Sequence, residues 1–385
     1  MHAMHTIKTL RMLTPLFLLA ACARAASGPA PVTPAATPTI ESPSATPLSA
    51  TATTILEAAS TPIASTPVTN PLTGLPLENP DRLGQRPILI KVSNFPRNNR
   101  PQWGLSKADM VFEHYAEGGL TRFSALFYGQ EAEMVGPIRS ARFIDLQLVP
   151  MYGAIFAYGS ADYRVREAIA ESDFADRAVT EYPARCPPMC RYDPSNLNHL
   201  VTNTTDLREY LHAKSIPEAA VDLAGMTFSD GMATGGLPGN ELEIHYSVGN
   251  FHRWIFNPEA NEYRRWQEVG SDDVETRLLE DRLTGEPVRA ANVILVVVPH
   301  RYITPSPEFV SIELFGEGRA IVFRDGQAFE IRWRRPADHG VLRFETASGD
   351  PFPLRPGSTW VELVNTSSEI EALGAGRWWV RFHIP

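Results

Sequence analysis

The chain has little that would mark it at once as a familiar enzyme or a nucleic-acid binder. Its 385 residues hold only three cysteines, and the net charge is -9 with no basic tail to offset it. That balance excludes general binding to nucleic acid or to an anionic membrane surface by charge alone. There is no phosphate-binding glycine loop ending in Lys-Ser/Thr, no H-E-x-x-H helix and no pair of catalytic carboxylates at a known spacing. No G-x-S-x-G elbow surrounds Ser140, which removes the usual setting of a serine nucleophile. The longest apolar run of the N-terminus, Leu13 to Ala21, is too short to span a bilayer permanently. No cofactor and no metal site is expected from these motifs.

What is present begins with that N-terminus. Lys8 and Arg11 precede the apolar run, the pattern of an export signal. It ends in Leu19-Ala20-Ala21-Cys22, which resembles a bacterial lipobox, and the resemblance implies cleavage before Cys22 and a diacylglycerol on its sulfur. The expectation is a signal over 1–22 and attachment to the outside of the cell membrane by that lipid. Residues 23–69 are Ala, Pro, Ser and Thr with almost no charge, and they account for the excess among the 33 prolines. Such a segment cannot bury enough apolar surface to offset its ordering entropy, so it reads as an extended, semi-rigid tether.

The remaining 43% hydrophobic, 21% charged chain is long enough for two globular units. Between 70 and 230, strands are expected over 86–93, 108–115, 120–128 and 154–158. Helices are expected over 143–151, 162–171 and 207–213, the last capped by Thr204-Thr205-Asp206. Interleaved strands and helices give an α+β or α/β layered unit. Gly235 to Gly239 reads as a linker. From 240 to 365 strand follows strand, with Asn292 to Val298 the most hydrophobic and Asp325-Gly326 a hairpin turn, so this unit is smaller, β-rich and mainly antiparallel. Residues 366–385 form a C-terminal extension. Cys186 and Cys190, outside the cytoplasm, read first as a disulfide closing a short loop, with metal binding or a redox pair as alternatives.

The stretch 108–142 concentrates charge among glycines between buried-type strands, which marks a binding or catalytic edge. Arg122, Arg139 and Arg142 are suited to holding a carboxylate or phosphate in bidentate fashion. Glu117 can orient one arginine or act as a general base, and His199 is a second proton-transfer candidate. The competing reading is that Arg139 and Arg142 pair with Glu113, Glu117 or Asp145 and hold the fold. Trp254, Trp266, Trp333, Trp360, Trp378 and Trp379 are expected in a sheet core rather than on a sugar-binding face. The cluster Arg332, Arg334, Arg335 is expected as a solvated rim.

Three blocks are similar to the YerB-like family of bacterial lipoproteins. They are Arg100-Pro101-Gln102-Trp103-Gly104-Leu105-Ser106-Lys107-Ala108-Asp109, Glu117-Gly118-Gly119-Leu120-Thr121-Arg122 and Gly136-Pro137-Ile138-Arg139-Ser140-Ala141-Arg142. The resemblance extends to Tyr263-Arg264-Arg265-Trp266 and Pro356-Gly357-Ser358-Thr359-Trp360. A later family pattern is met approximately at Asn198-His199-Leu200-Val201-Thr202, with its His-Asn order reversed. The resemblance implies an envelope location and a two-part architecture, and names no activity. On the residues, the favoured role is an anion-binding envelope lipoprotein using Arg122, Arg139, Ser140, Arg142 and Asn198. The expected partners are the membrane surface through Cys22 and an anionic envelope glycan or lipid carrier. The alternatives are a transferase or hydrolase acting on such a phosphate-linked ligand, and a scaffold for a protein partner.

Overall fold

Runs of apolar and β-branched residues set the strands. A computed structural model describes residues 67–385 except 194, 196–197, 271–273, 337–338 and 385. The lipobox with Cys22, and the tether up to residue 66, lie outside the described residues. In the first part of the chain the strands are β1 (Ile88–Ser93), β2 (Met110–Glu117), β3 (Leu120–Phe127), β4 (Ile155–Ala157) and β5 (Ala178–Val179). Helices α1 (Asp145–Met151), α2 (Tyr163–Ala170) and α3 (Thr204–Ala213) fall where the apolar spacing placed them. Asn203 caps α3, its side-chain oxygen accepting from the Asp206 N–H at 2.6 Å, and Thr204 already lies inside the helix.

The later strands are β6 (Glu241–Ser247), β7 (Asn250–Asn257), β8 (Glu262–Glu268), β9 (Asn292–Val298), β10 (His300–Pro305) and β11 (Glu308–Ile312). They are followed by β12 (Gly316–Arg324), β13 (Gln327–Arg335), β14 (Thr359–Asn365), β15 (Glu369–Gly374) and β16 (Arg377–Arg381). The described chain is mostly β, and its helices are few and short. The α/β layering expected for 70–230 gives way to a mostly β chain, whose α-helices in this part are these three and the single turn Glu181–Ala184.

The larger sheet runs β13-β12-β9-β14-β2-β3-β1-β4-β5, with Arg343–Glu345 outside β13 and Leu237–Pro238 also pairing with β13. β14 lies parallel to both β9 and β2. The two parts of the chain thus share one sheet, and Gly239, expected in a linker, donates its N–H to the Gly326 carbonyl. The Asp325-Gly326 turn has positive φ at both residues, the hairpin geometry its sequence predicts.

The second sheet, β8-β7-β6-β16-β15 with short strands at its β8 edge, buries every other residue of β6. Residues 366–385, expected as an extension, supply its strands β15 and β16. The two sheets face each other through Trp254 and Trp360 (ring centroids 5.1 Å), and through Phe323 with Tyr263 and Trp378. Trp254, Trp333, Trp360 and Trp378 are buried, whereas Trp266 and Trp379 are only partly so. Arg335 is no rim residue: it is buried and donates to the Leu314 carbonyl at 2.7 Å, while Arg332 and Arg334 remain half exposed. Cys186 and Cys190 form a disulfide.

Candidate anion site at the end of strand β2

β2 crosses the large sheet with alternate residues on opposite faces, so Glu113 faces the second sheet and His114 the other side. A β-bulge between Tyr115 and Glu117 breaks that alternation. The extra residue turns Glu117 onto the His114 face, beside Arg122, which pairs with His114 across the β2–β3 ladder. Gly118 and Gly119 close the turn, both at positive φ. A Cβ on Gly119 would lie 2.7 Å from that of Ser247, so only glycine fits here. The turn is held from the second sheet by Ser247 and Asn250, which donate to the Gly119 carbonyl at 2.9 and 3.1 Å.

The segment 136–142 brings the other two arginines. It runs beside β1, with the Ser93 N–H donating to the Pro137 carbonyl and the Arg139 N–H donating to the Lys91 carbonyl. Glu117 then receives Arg122 Nη2 at 2.7 Å on Oε1 and Arg142 Nε at 2.7 Å on Oε2, and Arg142 Nη2 also reaches Oε1. Arg139 has no carboxylate partner among the described residues; it donates to Ser93 Oγ and to the Phe95 carbonyl at 3.2–3.3 Å. Arg122 Nη1 is buried with no hydrogen-bond partner among the described residues. Ser140 Oγ lies 2.8 Å from Ser160 Oγ at the rim. Arg142 and Glu117 therefore form the ion pair that the structural reading expected, and Arg139 does not.

Beneath this cluster lies a buried network of which sequence reasoning named only Asp145. Lys91 Nζ donates to Asp145 Oδ1 and Ser124 Oγ, both at 2.8 Å, and sits 2.6 Å from His114 Nε2. His114 Nδ1 is 2.9 Å from the Tyr115 carbonyl, so the proton belongs on Nδ1 and Nε2 accepts from Lys91. Asp145 Oδ2 accepts the Arg142 N–H at 2.7 Å and so fixes the arginine segment from below. The signal available in sequence was the two-residue period, which puts His114, Arg122, Ser124 and Lys91 on one face.

The electrostatics follow from this crowding. Arg122, Arg139, Arg142 and Lys91 lie against Glu117 and Asp145, with Glu308 held at the Gly118 turn and Asp162 paired with Arg164, so positive charge is in excess among the described residues. Burial, and then the neighbouring Arg142, push the Arg122 guanidinium down to about 9. Burial lowers Lys91 to about 8 against the opposing pull of Asp145, and it lowers His114 far below its ordinary range. Glu117 is moved upward by burial, but the Arg142 hydrogen bond and the charges of Arg122 and Arg142 outweigh it, so its carboxyl lies below the usual range.

His199 is not part of this cluster. Among the described residues its ring stacks on Tyr192 at 4.2 Å and its Nδ1 lies 3.2 Å from Asp193, and Asn198 occupies the turn just before it. Glu113 belongs to a second buried group, with Glu362 and His252, whose ligand-type atoms lie within 4.8 Å of one another. Such a trio suits a divalent cation in composition, but Arg265 already bridges it, 2.8 Å from Glu113 and 3.4 Å from Glu362. The donor set is spent on a cation of the chain itself. Its sequence signal was Glu362, an acid inside the apolar run of β14. A separate cleft of about 590 Å³, lined among others by Asn70, Ser106, Asp109, Arg289 and Arg355, shares no residue with the arginine cluster.

Comparison with known proteins places these features. Residues 72–217 match the N-terminal domain model, and residues 242–361 the C-terminal domain model, of a family described as "Protein of unknown function (DUF3048)". The chain is 29% identical over 311 residues to a Bacillus subtilis (strain 168) protein named "Putative lipoprotein YerB", covering 76% of this chain and 85% of that one. The crystal structure of YerB from Bacillus subtilis is similar with a TM-score of 0.66 at 26% identity, covering 77% of this chain and 96% of that one. No helix among the described residues is long and apolar enough to cross a membrane.

Proposed function

The chain belongs to the YerB-like DUF3048 family, and from that premise we propose that it is a lipid-anchored envelope protein whose folded body binds an anionic ligand at Arg122, Arg139 and Arg142. The lipobox ending in Cys22 and the lipoprotein name of the Bacillus subtilis relative support the anchor. The tether 23–69 would hold the body clear of the lipid surface, and the ligand would be an envelope anion. One observation carries the binding reading: among the described residues Arg122 Nη1 is buried without a partner beside Arg139, which has no carboxylate. An unpaired buried donor is costly, and like charges side by side add to that cost, so an anion reaching all three guanidiniums relieves both.

Binding is favoured over catalysis. A general base works best with a pKa near the working pH, and Glu117 is held in the opposite direction by its arginines. His199, the other proton-transfer candidate, has its contacts elsewhere.

The test is thermal melting of residues 67–385 with sodium pyrophosphate, for wild type and Arg139→Gln. A ligand at a hundred times its Kd stabilises by about 2.7 kcal/mol, a rise of several degrees. The expected result is that rise in wild type and its loss in Arg139→Gln, whose own melting point stays within about 2 °C because only one hydroxyl and one carbonyl lose a donor. A rise of equal size in both proteins, or none in either, would overturn the proposal.

A further inference from the structure

Between β9 and β12 the chain leaves the large sheet as a hairpin, β10–β11, and returns. This hairpin is fastened to the arginine site. Glu308 at the start of β11 accepts from the Tyr115 hydroxyl and from the Gly118 N–H, both at 2.6 Å, directly beside Glu117. Phe309 packs edge-on against Phe143, the residue after Arg142, with centroids 4.8 Å apart, and the Arg164 guanidinium covers it at 4.0 Å. Two apolar residues of the hairpin are open to water, Tyr302 at 37% and Ile303 at 44% exposed, next to the exposed Arg301–Glu313 ion pair. Tyr163, beside Arg164 at the start of α2, is 57% exposed.

Single exposed hydrophobics are ordinary on a protein surface. Here Tyr302 and Ile303 lie on the hairpin that Glu308 ties to the Gly118 turn, Tyr163 lies beside the Arg164 that covers Phe309, and the Ser140 and Ser160 hydroxyls lie at the rim of the arginine cluster. A wholly polar anion would satisfy the arginines and leave these apolar residues facing water.

We propose that the ligand is an amphiphile, a phosphate or pyrophosphate ester of a hydrocarbon chain. Its head is held by Arg122, Arg139 and Arg142, and the first carbons of its chain lie against Phe143, Tyr163, Tyr302 and Ile303. This inference rests on the anion-binding reading above. Charge complementarity selects the head, and the position of the hairpin selects the side on which the chain leaves. The occupant is a single molecule; a bilayer surface, the other source of phosphate beside hydrocarbon, is one arm of the test.

The experiment is calorimetric titration of residues 67–385 with inorganic pyrophosphate and with geranyl pyrophosphate below its micellar concentration. Wild type is compared with Tyr302→Ser/Ile303→Ser and with Ile303→Ser alone. Shielding about two methylenes from water is worth about tenfold in affinity, so geranyl pyrophosphate should bind wild type at least that much more tightly. The double variant should bring the two probes together without changing inorganic pyrophosphate. Ile303→Ser, the milder change, should narrow the gap in a protein that melts like wild type. Equal affinities in wild type, or a gap that both variants retain, would overturn the inference and leave the anion site standing. Failure of both probes to bind would overturn the anion reading and this inference with it. Co-sedimentation with phosphatidylglycerol vesicles in the absence of any geranyl preference would overturn it in favour of a membrane surface.

Discussion

Glu362 shows at the scale of one residue what burial does to an acid. It accepts from Trp254 Nε1 at 2.9 Å and lies 2.8 Å from His252, yet burial still pushes it from 4.5 up to about 6. Between those values the folded protein holds a proton that the unfolded chain has released. The group therefore favours folding at low pH, and that contribution is lost as pH rises through about 6. Glutamine cannot titrate, so Glu362→Gln should gain stability relative to wild type by up to about 2 kcal/mol between pH 4.5 and 7. Urea unfolding of both proteins at the two pH values measures this, and a constant difference would contradict it. At the site itself, Glu117→Gln removes the charge shared by Arg122 and Arg142. The expected outcome is a melting point lowered by about 1–3 kcal/mol of stability, together with tighter pyrophosphate binding, because the surplus of positive charge grows. Glu117, Arg122 and Arg142 were legible in sequence because charge placed between glycines at the ends of apolar strands seldom serves packing alone. Asp145 was legible as a partner for the arginine segment, but Lys91 and His114 were not, since each sits alone in an apolar strand and acquires its meaning only from cross-strand pairing.

Among the elements, the β2–β3 hairpin decides the geometry of the site. Its bulge turns Glu117 away from Glu113, and its glycines let the turn rest on Ser247. Gly119→Ala would place a methyl group against Ser247 in a backbone region that alanine avoids. Stability should fall by more than about 1 kcal/mol, and pyrophosphate affinity should fall with it, as Glu117 and Arg122 move. Denaturant melts combined with calorimetry check this; a stable variant with unchanged affinity would show that the turn does not set the site. Most of the longer strands were readable from hydrophobic period and turn residues, and the Asp325-Gly326 hairpin was read to the residue, whereas β5, β10, β11 and β15 were not read. The bulge was not readable, because nothing in Tyr115-Ala116-Glu117 departs from ordinary strand sequence. The burial of Arg335 was hidden for the same kind of reason. It ends a strand next to two exposed arginines and differs from them only in facing Leu314 and α1.

For the whole molecule, the sequence divides more sharply than the fold. The two family segments, 72–217 and 242–361, share the large sheet, because β14 pairs with β2. The block 100–109, which carries the family resemblance, is largely spent on joining them. Arg100 Nη1 and Nη2 reach Glu268 at 2.5 and 3.1 Å, and the Gly104 and Ser106 N–H groups donate to Asp281 at 2.9 and 2.6 Å. Residues 67–230 produced alone should therefore not fold cooperatively, which a denaturant melt would show as a broad slope without a transition. A sharp transition would mean that the first part is self-sufficient. Composition marked the change to denser strands, but parallel pairing between strands some 250 residues apart leaves no local trace. The most direct measurement of the central claim is nuclear magnetic resonance of the arginine Nε–H groups in residues 67–385 during titration with pyrophosphate. The account predicts that the signals of Arg122, Arg139 and Arg142 shift together and saturate at one equivalent. Shifts confined to other arginines, or none that saturate, would contradict it.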